Sequence, residues 1–330
     1  MSFAPRALPQ LRPDTLAARL SSAHVRRREL AASNDCYRVH DLGEAEVPGL
    51  TVERFGDFAV VHDYAASQRA HLLAVGAALL ELGAKGVYLK ERVRGGARKR
   101  GGARSEEPPL LGEAAPKELE VHESGRRYWV RLAEGLATGL FVDQRENRTR
   151  LQESAADRSV LNLFCYTGSF SVAAGLGGAR KVTSIDNSRA ALARLNANLR
   201  LNLLDPAGHR VLRADAVQFL SRAARGAERF DVIVLDPPTF SSDGESAFSV
   251  RAQYETMAKD CFGLLTNGGR LLAVTNDRGT SELEFRRMVE RAARSAGREL
   301  ESLWKPPPPL DCPLGEDAST ATKSLWARVR

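Results

Sequence analysis

The sequence predicts an α/β fold, in which a doubly wound, mostly parallel, seven-stranded Rossmann-like sheet follows a smaller β-rich α+β domain. From Ser159 onward, short apolar runs alternate with segments of helical periodicity, a pattern typical of parallel βαβ units. Upstream of Ser159, apolar runs follow one another across tight turns, which favours an antiparallel sheet. The 330 residues are enough for two domains of about 100–200 residues each.

The first part of the chain combines helical and strand patterns. Three arginines, Arg26 to Arg28, end the first helical pattern and suit the negative end of a helix dipole. The predicted elements are a helix at 13–32, a β-hairpin at 47–63 with its turn at Gly56 and Asp57, a helix at 67–83, a strand at 86–90 and further β structure at 117–142 with a turn at Gly125. The predicted domains are a tail and helix at 1–40, a β-rich accessory domain at 41–150 and an α/β domain at 151–330.

The second part has seven strand patterns separated by helical ones. The strands are predicted at 160–164, 181–185, 209–213, 232–235, 270–274, 299–304 and 324–329. An alanine-rich helix follows the first strand, and further helices are predicted at 188–202, 215–225, 250–265 and 281–296. Gly268 and Gly269 are expected to end the helix at 250–265.

Composition excludes several classes of protein. Hydrophobic residues make up 43% and charged residues 27%, which is typical of a packed globular chain and not of a disordered or fibrous one. No apolar run reaches the roughly 18–20 residues of a membrane span, and the N-terminus lacks the apolar core of a secretory signal. The four cysteines have no CxxC spacing, so we expect neither a metal site nor disulfides, and a reduced, cytoplasmic chain.

A basic segment at 90–104 contains seven lysines or arginines, one glutamate and four glycines. Together with the net charge of +7, it favours a polyanionic partner such as nucleic acid. The alternative, a solvated linker whose like charges repel, remains open. Under the first interpretation the candidate RNA-binding residues are Arg94, Arg98, Lys99, Arg100 and Arg104.

Polar residues follow successive strands of the predicted parallel sheet. In open α/β sheets, ligands bind outside the carboxyl ends of the strands. The strand ends carry Tyr166, Thr167, Gly168, Asp186, Asp215, Asp236, Pro237, Pro238, Thr239, Phe240, Thr275 and Asn276. The sequence therefore predicts a ligand site at this edge.

The first of these loops predicts a nucleoside ligand without a pyrophosphate. The GxGxxG fingerprint of dinucleotide sites is absent, whereas Asp186 follows Gly168 by 18 residues, where a carboxylate can accept hydrogen bonds from ribose hydroxyls. S-adenosylmethionine fits and NAD does not. Asp215 would then lie beside the adenine amino group. The alternative for each aspartate is a helix N-cap.

The segment DPPTF at 236–240 predicts a base-binding site. Its prolines fix the backbone and remove two N–H donors, which leaves carbonyls and the Asp236 carboxylate as acceptors. Phe240 offers a face on which a planar base can stack. The alternative is a structural turn with Phe240 in the core.

Several motifs resemble the class I S-adenosylmethionine-dependent methyltransferases, especially the bacterial 23S ribosomal RNA base methyltransferases. They are NLFCYTGSF (162–170), SIDNS (184–188), NLRLN (198–202), DPPTF (236–240), VPGLTVERFGDF (47–58) and GLFVDQRENR (139–148). The resemblance implies that Asp143 and Arg145 lie near the cofactor and the active cleft. The full candidate cofactor set, which includes the residues at the strand ends, is Asp143, Arg145, Asn162, Tyr166, Thr167, Gly168, Asp186, Asn187, Asp215 and Ala216. The catalytic set is Asp236, Pro237, Phe240 and Asn276.

Two subfamilies compete, one methylating cytosine C5 and the other guanine N7. Cytosine C5 becomes nucleophilic only after a thiolate adds to C6, so that enzyme needs a cysteine. The family places this cysteine after the fifth strand, where this chain has Asn276 and no cysteine. Guanine N7 has an in-plane lone pair and needs only positioning. We therefore expect guanine N7 of large-subunit ribosomal RNA, with Cys312 kept open as a nucleophile. A small-molecule or protein substrate is the alternative.

Overall fold

The computed structural model describes residues 13–42, 44, 46–92, 106–238, 250–277, 279–313 and 322–330. These residues form two compact units. The first runs to Asp143 and also receives residues 308–313, and the second holds residues 144–307 and 322–330. This division differs from the predicted one, because the first helix belongs to the same unit as the sheet that follows it, and because a late segment returns to the first unit.

The first unit contains a five-stranded sheet and a separate two-stranded one. Its elements are α1 (Pro13–Val25), α2 (Arg28–Ala31), β1 (Cys36–His40), β2 (Leu50–Phe55), β3 (Phe58–Asp63), α3 (Arg69–Glu81), β4 (Gly86–Glu91), β5 (Leu111–Gly112), β6 (Leu119–Glu123) and β7 (Arg126–Val130). The larger sheet has the order β1-β2-β3-β4-β5. Only β3 and β4 run parallel within it, because α3 connects them.

Both predicted hairpin turns are present. Phe55 pairs with Phe58, so Gly56 and Asp57 form a two-residue turn in which Gly56 has a φ of +57°. That geometry suits the tight turns that match strand twist. In the β6–β7 hairpin, Ser124 and Gly125 both have positive φ, at +47° and +80°. This pair of left-handed residues corresponds to a type I′ turn.

One predicted helix is interrupted. The helix expected at 13–32 ends at Val25 and resumes as the short α2. The guanidinium of Arg27, which is buried, donates to the Ala23 carbonyl at 3.0 Å and to Glu44 Oε2 at 2.6 Å. One of the three arginines that were expected at the end of the helix therefore caps the C-terminus of α1.

One face of the five-stranded sheet is apolar and covered by α1 and α3. Alternate strand residues such as Val52, Val61 and Val87 pack with Leu16 of α1 and Val75 of α3, and all five are buried. The period of two along the strands separates this face from a polar one.

The opposite face carries a row of hydrogen-bonded charges. Arg38 Nη2 donates to Glu53 Oε1 at 3.0 Å, and Glu53 Oε2 is 3.0 Å from His62 Nε2. Arg92 Nε donates to His62 Nδ1 at 3.2 Å, so that nitrogen is the acceptor and Nε2 carries the ring proton donated to Glu53. Burial, with Arg92 and Arg38 nearby, lowers the pKa of His62 and keeps the ring neutral at physiological pH.

The second unit is built around a seven-stranded sheet. Its elements are α4 (Arg145–Glu153), β8 (Ser159–Leu163), α5 (Ser169–Leu176), β9 (Lys181–Asp186), α6 (Arg189–Leu201), β10 (His209–Arg213), α7 (Ala216–Ala223), β11 (Phe230–Leu235), α8 (Val250–Leu264), β12 (Leu265–Thr275), α9 (Glu282–Ser295), β13 (Leu300–Trp304) and β14 (Lys323–Val329). The strand order is β10-β9-β8-β11-β12-β14-β13. The first five strands are parallel, and β14 is antiparallel to both of its neighbours.

This architecture confirms the predicted fold class. The predicted helix at 250–265 corresponds to α8 (Val250–Leu264), but the prediction that Gly268 and Gly269 end it is wrong, because both lie inside β12. Leu265, which is buried, already pairs with Phe230 of β11, and the register shifts before Arg270. Tertiary pairing therefore begins the strand earlier than the glycines indicate.

The polar helix α4 is held against the sheet by a buried asparagine. Asn147 Nδ2 donates to Ser324 Oγ at 2.9 Å and to Gln144 Oε1 at 2.8 Å, and its Oδ1 accepts the indole N–H of Trp326 at 2.9 Å. Because all these groups are buried, each needs its hydrogen bond. Sequence reasoning had assigned no role to Asn147.

None of the described helices is long and apolar enough to cross a membrane. None of the four cysteines forms a disulfide bond, and all four are buried.

The Glu53 cluster predicts a pH-dependent contribution to stability. Burial alone would raise the pKa of Glu53, but His62 and Arg38 hold it at about 2, against an ordinary value of 4.5. Since the folded-state pKa is depressed, the stabilisation is complete above pH 4.5 and is lost as the pH falls toward 2. Glu53→Gln should therefore lower the free energy of unfolding by about 3 kcal/mol at pH 7.

The difference between wild type and Glu53→Gln, measured by urea unfolding, should shrink steadily below pH 4.5. Glu118→Gln is the matched control, because it breaks the exposed pair with Arg131 and should have a much smaller effect. A pH-independent difference would contradict the assignment.

Candidate active site

The sheet has a topological switch point between β8 and β11. These strands are adjacent, yet the chain continues from β8 outward through β9 and β10, and from β11 in the opposite direction through β12. Crevices outside the carboxyl ends of strands form at such points. Gly168 follows β8, and Asp236 and Pro237 follow β11, so the structure brings these predicted site residues to one edge.

The loop after β8 has an unusual backbone. Phe164, Tyr166 and Gly168 have φ values of +55°, +49° and +79°. Left-handed conformations are costly for residues with a Cβ, so surrounding contacts must hold them. The N–H of Cys165 donates to the Ile185 carbonyl at 2.9 Å, and the N–H of Gly168 donates to the Cys165 carbonyl at 2.8 Å. The loop is therefore fastened to the end of β9.

Asp186 ties this loop to the next one. Its Oδ2 accepts the N–H of Tyr166 at 2.9 Å, and its Oδ1 accepts the N–H of Ser188 at 2.8 Å. It is not the N-cap of α6, because Ser188 has that role through the N–H of Ala191. A carboxylate has about four lone-pair sites, so two remain for a ligand on this partly exposed side chain.

Asp215 differs from Asp186 because it is a helix cap. Its Oδ1 accepts the N–H of Gln218 at 2.8 Å at the start of α7, and the residue is exposed. Ala216 is buried as the first residue of that helix. Asn187 is exposed, and its carbonyl accepts a hydrogen bond from Arg213 Nε at 3.1 Å.

A buried polar network lies beneath the β8 loop. Asn162 Nδ2 donates to Ser171 Oγ at 2.9 Å, and that hydroxyl lies 2.8 Å from Ser184 Oγ. Asn198 Nδ2 donates to the carbonyl of Thr167 at 2.9 Å. These buried hydrogen bonds of Asn162 and of the Thr167 carbonyl hold the β8 loop in place. Ser171, Ser184 and Asn198 were missed, although polar residues inside apolar segments were the available signal.

The ends of β11 and β12 carry the predicted base-binding residues. Asp236 is half-buried, Pro237 is buried and Asn276 is exposed. Burial is the main cause that raises the pKa of Tyr254 well above its ordinary value, and the charge of Asp236 adds to it.

The turn after Asn276 is held by its neighbour Asp277. The Asp277 carboxylate accepts from the Gly279 N–H at 3.2 Å and the Thr280 hydroxyl at 2.6 Å, and its carbonyl accepts from Lys323 Nζ at 3.1 Å. The backbone that carries Asn276 is thereby fixed.

Comparison with known proteins identifies the family. A sequence model of S-adenosylmethionine-dependent methyltransferases matches residues 92–320. The chain belongs to this family.

A solved structure of a putative methyltransferase from Streptococcus mutans is 27% identical over 99% of this chain and 84% of that chain, with a TM-score of 0.83. The structure of SMU.776, a putative methyltransferase complexed with SAH, is 28% identical with a TM-score of 0.84 over 99% of this chain and 84% of that one. The complex of aTrm5 with tRNALeu shares the fold at 14% identity, with a TM-score of 0.55 over 100% of this chain and 83% of that chain.

The residues of this methyltransferase fit its cofactor, S-adenosylmethionine. Ribose hydroxyls need acceptors, and Asp186 retains acceptor capacity at the end of β9. An adenine amino group needs an acceptor, and only one oxygen of Asp215 is used in capping α7. The hydrogen-bond acceptors at the carboxyl edge therefore suit an adenosine moiety.

The remaining predicted residues are distributed between the units. Asp143 lies in the first unit beside Arg38 and Cys312, and its charge contributes to raising the pKa of both. Arg145 lies in the second unit, where it is buried. Phe240 and the basic residues Arg94, Arg98, Lys99, Arg100 and Arg104 lie outside the described residues.

The cysteines of this methyltransferase are poor nucleophiles as the structure places them. Burial is the main cause that raises the pKa of Cys165, of Cys261 and of Cys312. Because the thiolate is the reactive form, these thiols are neutral and inert at physiological pH. Cys36 donates a hydrogen bond to the His122 carbonyl at 3.3 Å.

Gly168 predicts a steric test of the loop. A Cβ at this position would meet Leu195 Cγ at 2.4 Å, and φ is +79°. Gly178 has a similar φ of +76°, but a Cβ there would only reach Ala156 Cα at 3.8 Å. Gly178→Ala should therefore cost about 1–2 kcal/mol from its left-handed backbone alone. Gly168→Ala should cost about 1–3 kcal/mol more from overpacking, measured by urea unfolding. If both variants lose the same free energy of unfolding, Leu195 moves away from the added Cβ at little cost.

Proposed function

We propose that this methyltransferase transfers a methyl group from S-adenosylmethionine to a base in RNA, with N7 of a guanine in large-subunit ribosomal RNA as the target. The observation that carries the proposal is the acceptor-rich crevice at the switch point, where Asp186 ends β9 and Asp236 and Pro237 follow β11. The solved complex of aTrm5 with tRNALeu supports it, since that protein shares the fold and binds RNA.

Each residue of the crevice has a role in the proposal. The sulfonium of bound S-adenosylmethionine supplies an electrophilic methyl group. Asp186 accepts hydrogen bonds from the ribose, the loop of Tyr166 to Gly168 surrounds the donor, and Asp215 accepts from the adenine. The resemblance adds Asp143 and Arg145 to the proposed cofactor set, which also includes Asn162, Asn187 and Ala216.

Asp236 and Pro237 orient the target base, with Phe240 as a stacking face and Asn276 as a further polar contact. Holding the base in line with the methyl group supplies the proximity that N7 alkylation needs.

The positions and pKa values of the cysteines favour guanine N7 over cytosine C5 as the methylated atom. Methylation at C5 needs a thiolate beside the base. In the part of the chain that the structure describes, the end of β12 carries Asn276 and no cysteine. The pKa of the buried Cys312 thiol, the one nucleophile left open by the sequence, is raised well above its usual range.

The target RNA would be held outside the crevice as well. The basic segment at 90–104, with Arg94, Arg98, Lys99, Arg100 and Arg104, supplies phosphate contacts in this proposal. A ribosomal RNA substrate places the reaction in the cytoplasm.

Asp186→Ala tests the assignment of the cofactor site. It removes the acceptor for two backbone N–H groups and for the ribose, and hydrogen bonds to a charged group contribute about 1.5–3 kcal/mol. Calorimetric titration with S-adenosylhomocysteine should show affinity reduced about 10- to 100-fold or more. Asp205→Ala, which removes an exposed cap at the opposite edge of the sheet, should bind as wild type. Wild-type affinity for Asp186→Ala would refute the assignment.

The substrate is tested by methyl transfer. Purified enzyme with labelled S-adenosylmethionine should methylate RNA from a strain that lacks the gene, and nucleoside mass spectrometry should identify 7-methylguanosine. RNA from the parent strain is the control, because its target is already methylated. Appearance of 5-methylcytidine would replace the guanine assignment, and transfer only to protein or small molecules in the extract would refute an RNA substrate.

A further inference from the structure

Three arginines converge at the amino edge of the seven-stranded sheet, opposite the crevice. Arg270 of β12 lies directly across from Arg328 of β14. Val232 of β11 pairs with both Arg270 and Val160, and Arg158 precedes Val160 by two residues. Since side chains alternate with a period of two along a strand, Arg270 and Arg328 lie on the same face as Val160 and Val232, and Arg158 immediately precedes β8 at the same edge. We call Arg158, Arg270 and Arg328 the arginine patch.

The patch is electrostatically unbalanced. Burial, together with the charges of Arg158 and Arg328, lowers the pKa of Arg270, while Glu301 only partly opposes this. Glu301 forms an ion pair with Arg328 at 3.1 Å. Among the residues that the structure describes, no carboxylate forms an ion pair with Arg158 or Arg270. Like charges directly opposite each other destabilise a strand pair, so the fold alone gives no reason for this arrangement.

A nearby carboxylate does not neutralise the patch. Burial would raise the pKa of Asp231, but hydrogen bonds from Ser159 and Thr266 lower it, and the charge of Arg158 adds to that lowering. Its oxygens, however, accept from the N–H and hydroxyl of Ser159 at 2.8 and 2.9 Å and from the Thr266 hydroxyl at 2.9 Å. These bonds direct the carboxylate to the strand ends rather than to a guanidinium.

The patch is accessible to a ligand. The Arg328 side chain is 43% exposed, and Arg158 and Arg270 are partly exposed. A Cβ added at Gly268 would meet only Arg328 Nη2, at 3.8 Å, so the space beside that guanidinium is open. Guanidinium groups form bidentate hydrogen bonds with phosphate oxygens and are the preferred cations for nucleic-acid backbones.

An exposed aromatic residue extends the same face. Ser302 of β13 pairs with Arg328, and Trp304 pairs with Trp326, two residues from Arg328. Trp304 is 40% exposed, and the guanidinium of Arg150 lies 5.1 Å from its ring centroid. Cations beside an exposed aromatic ring are typical of surfaces that bind single-stranded nucleic acid.

We propose that the arginine patch binds the phosphodiester backbone of the RNA substrate, away from the methylated base. This inference rests on RNA being the substrate. Arg270 precedes Asn276 by six residues along β12, which corresponds to about 20 Å. At about 3.4 Å per base step, the bound phosphates belong to nucleotides on the order of six positions from the target. The enzyme therefore recognises a length of RNA and not only a base.

The test compares two triple variants with the same loss of charge. The patch variant is Arg158→Gln, Arg270→Gln and Arg328→Gln. The control is Arg131→Gln, Arg210→Gln and Arg291→Gln, whose arginines are each paired with glutamates. Binding of a fluorescein-labelled, 40-nucleotide single-stranded RNA is followed by anisotropy across a series of KCl concentrations.

In the patch variant, the slope of log affinity against log salt should decrease in magnitude by about 2, since each phosphate contact on a single strand contributes about 0.7. The control slope should change much less. Equal changes in the two variants, or an unchanged slope in the patch variant, would overturn the proposal.

Further measurements distinguish a failure of this inference from a loss of folding or cofactor binding and from a failure of the proposed reaction. S-adenosylhomocysteine binding should be as in wild type for both variants, and the thermal midpoint of Arg270→Gln should be unchanged or higher because a like-charge contact is removed. A lowered midpoint would assign Arg270 a structural role and overturn the proposal. If the enzyme methylates RNA but the patch variant keeps the wild-type salt slope, the phosphate-binding role of the arginine patch is refuted and the proposed reaction is not. A patch-dependent slope without any transfer to RNA would refute the proposed reaction and retain the polyanion site.

Discussion

The geometry of the crevice depends on one carboxylate. Asp186 accepts the N–H of Tyr166 and the N–H of Ser188, and so joins the loop after β8 to the loop after β9. Those loops would otherwise bring unpaired backbone donors and left-handed residues to the edge of the sheet. Because a charged acceptor forms stronger hydrogen bonds than a neutral one, a single side chain can support this costly backbone. The same carboxylate has acceptor sites left for a ribose.

The first unit stabilises its polar sheet face in a comparable way. Glu53 lies between Arg38 and His62, and Arg92 reaches the other ring nitrogen of His62. Asp311 from the returning segment accepts the N–H of Arg38 at 2.8 Å. Each charge in the row is hydrogen-bonded to the next, which offsets the cost of burying them. Removing the central carboxylate would leave the N–H of His62 and one nitrogen of Arg38 without their acceptor, whereas Arg38 Nη1 would keep its bond to Asp41 at 2.7 Å.

Sequence periodicity was sufficient for the sheet and for the edge at which the site lies, because the carboxyl ends of parallel strands are determined by chain direction. It could not separate the roles of Asp186 and Asp215. Both follow strands and precede helices, but only Asp215 caps its helix, because Ser188 provides the cap after Asp186. That difference depends on the exact residue at which each helix begins, which is set by tertiary packing.

Other features required partners that are distant in sequence. Leu265 starts β12 because it pairs with Phe230, although Gly268 and Gly269 are typical of the end of a helix. The burial of Asn147 in a highly charged helix depends on Trp326 and Ser324 of the last strand. The convergence of the arginine patch likewise follows from the register of β12 against β14. In each case the local pattern is ambiguous, and the pairing of strands decides.

The two edges of the seven-stranded sheet have opposite electrostatic characters, and the reaction we propose needs both. Acceptors at the carboxyl edge suit the hydroxyl and amino groups of a nucleoside, but Asp186, Asp215 and Asp236 together repel phosphates. A polyanionic substrate must therefore gain its affinity elsewhere. The arginine patch lies about 20 Å away along β12, which is more than twice the screening length of about 8 Å at physiological ionic strength. At that separation the acidic edge does not cancel the attraction of the patch, so one sheet can present acceptors to the base and cations to the backbone.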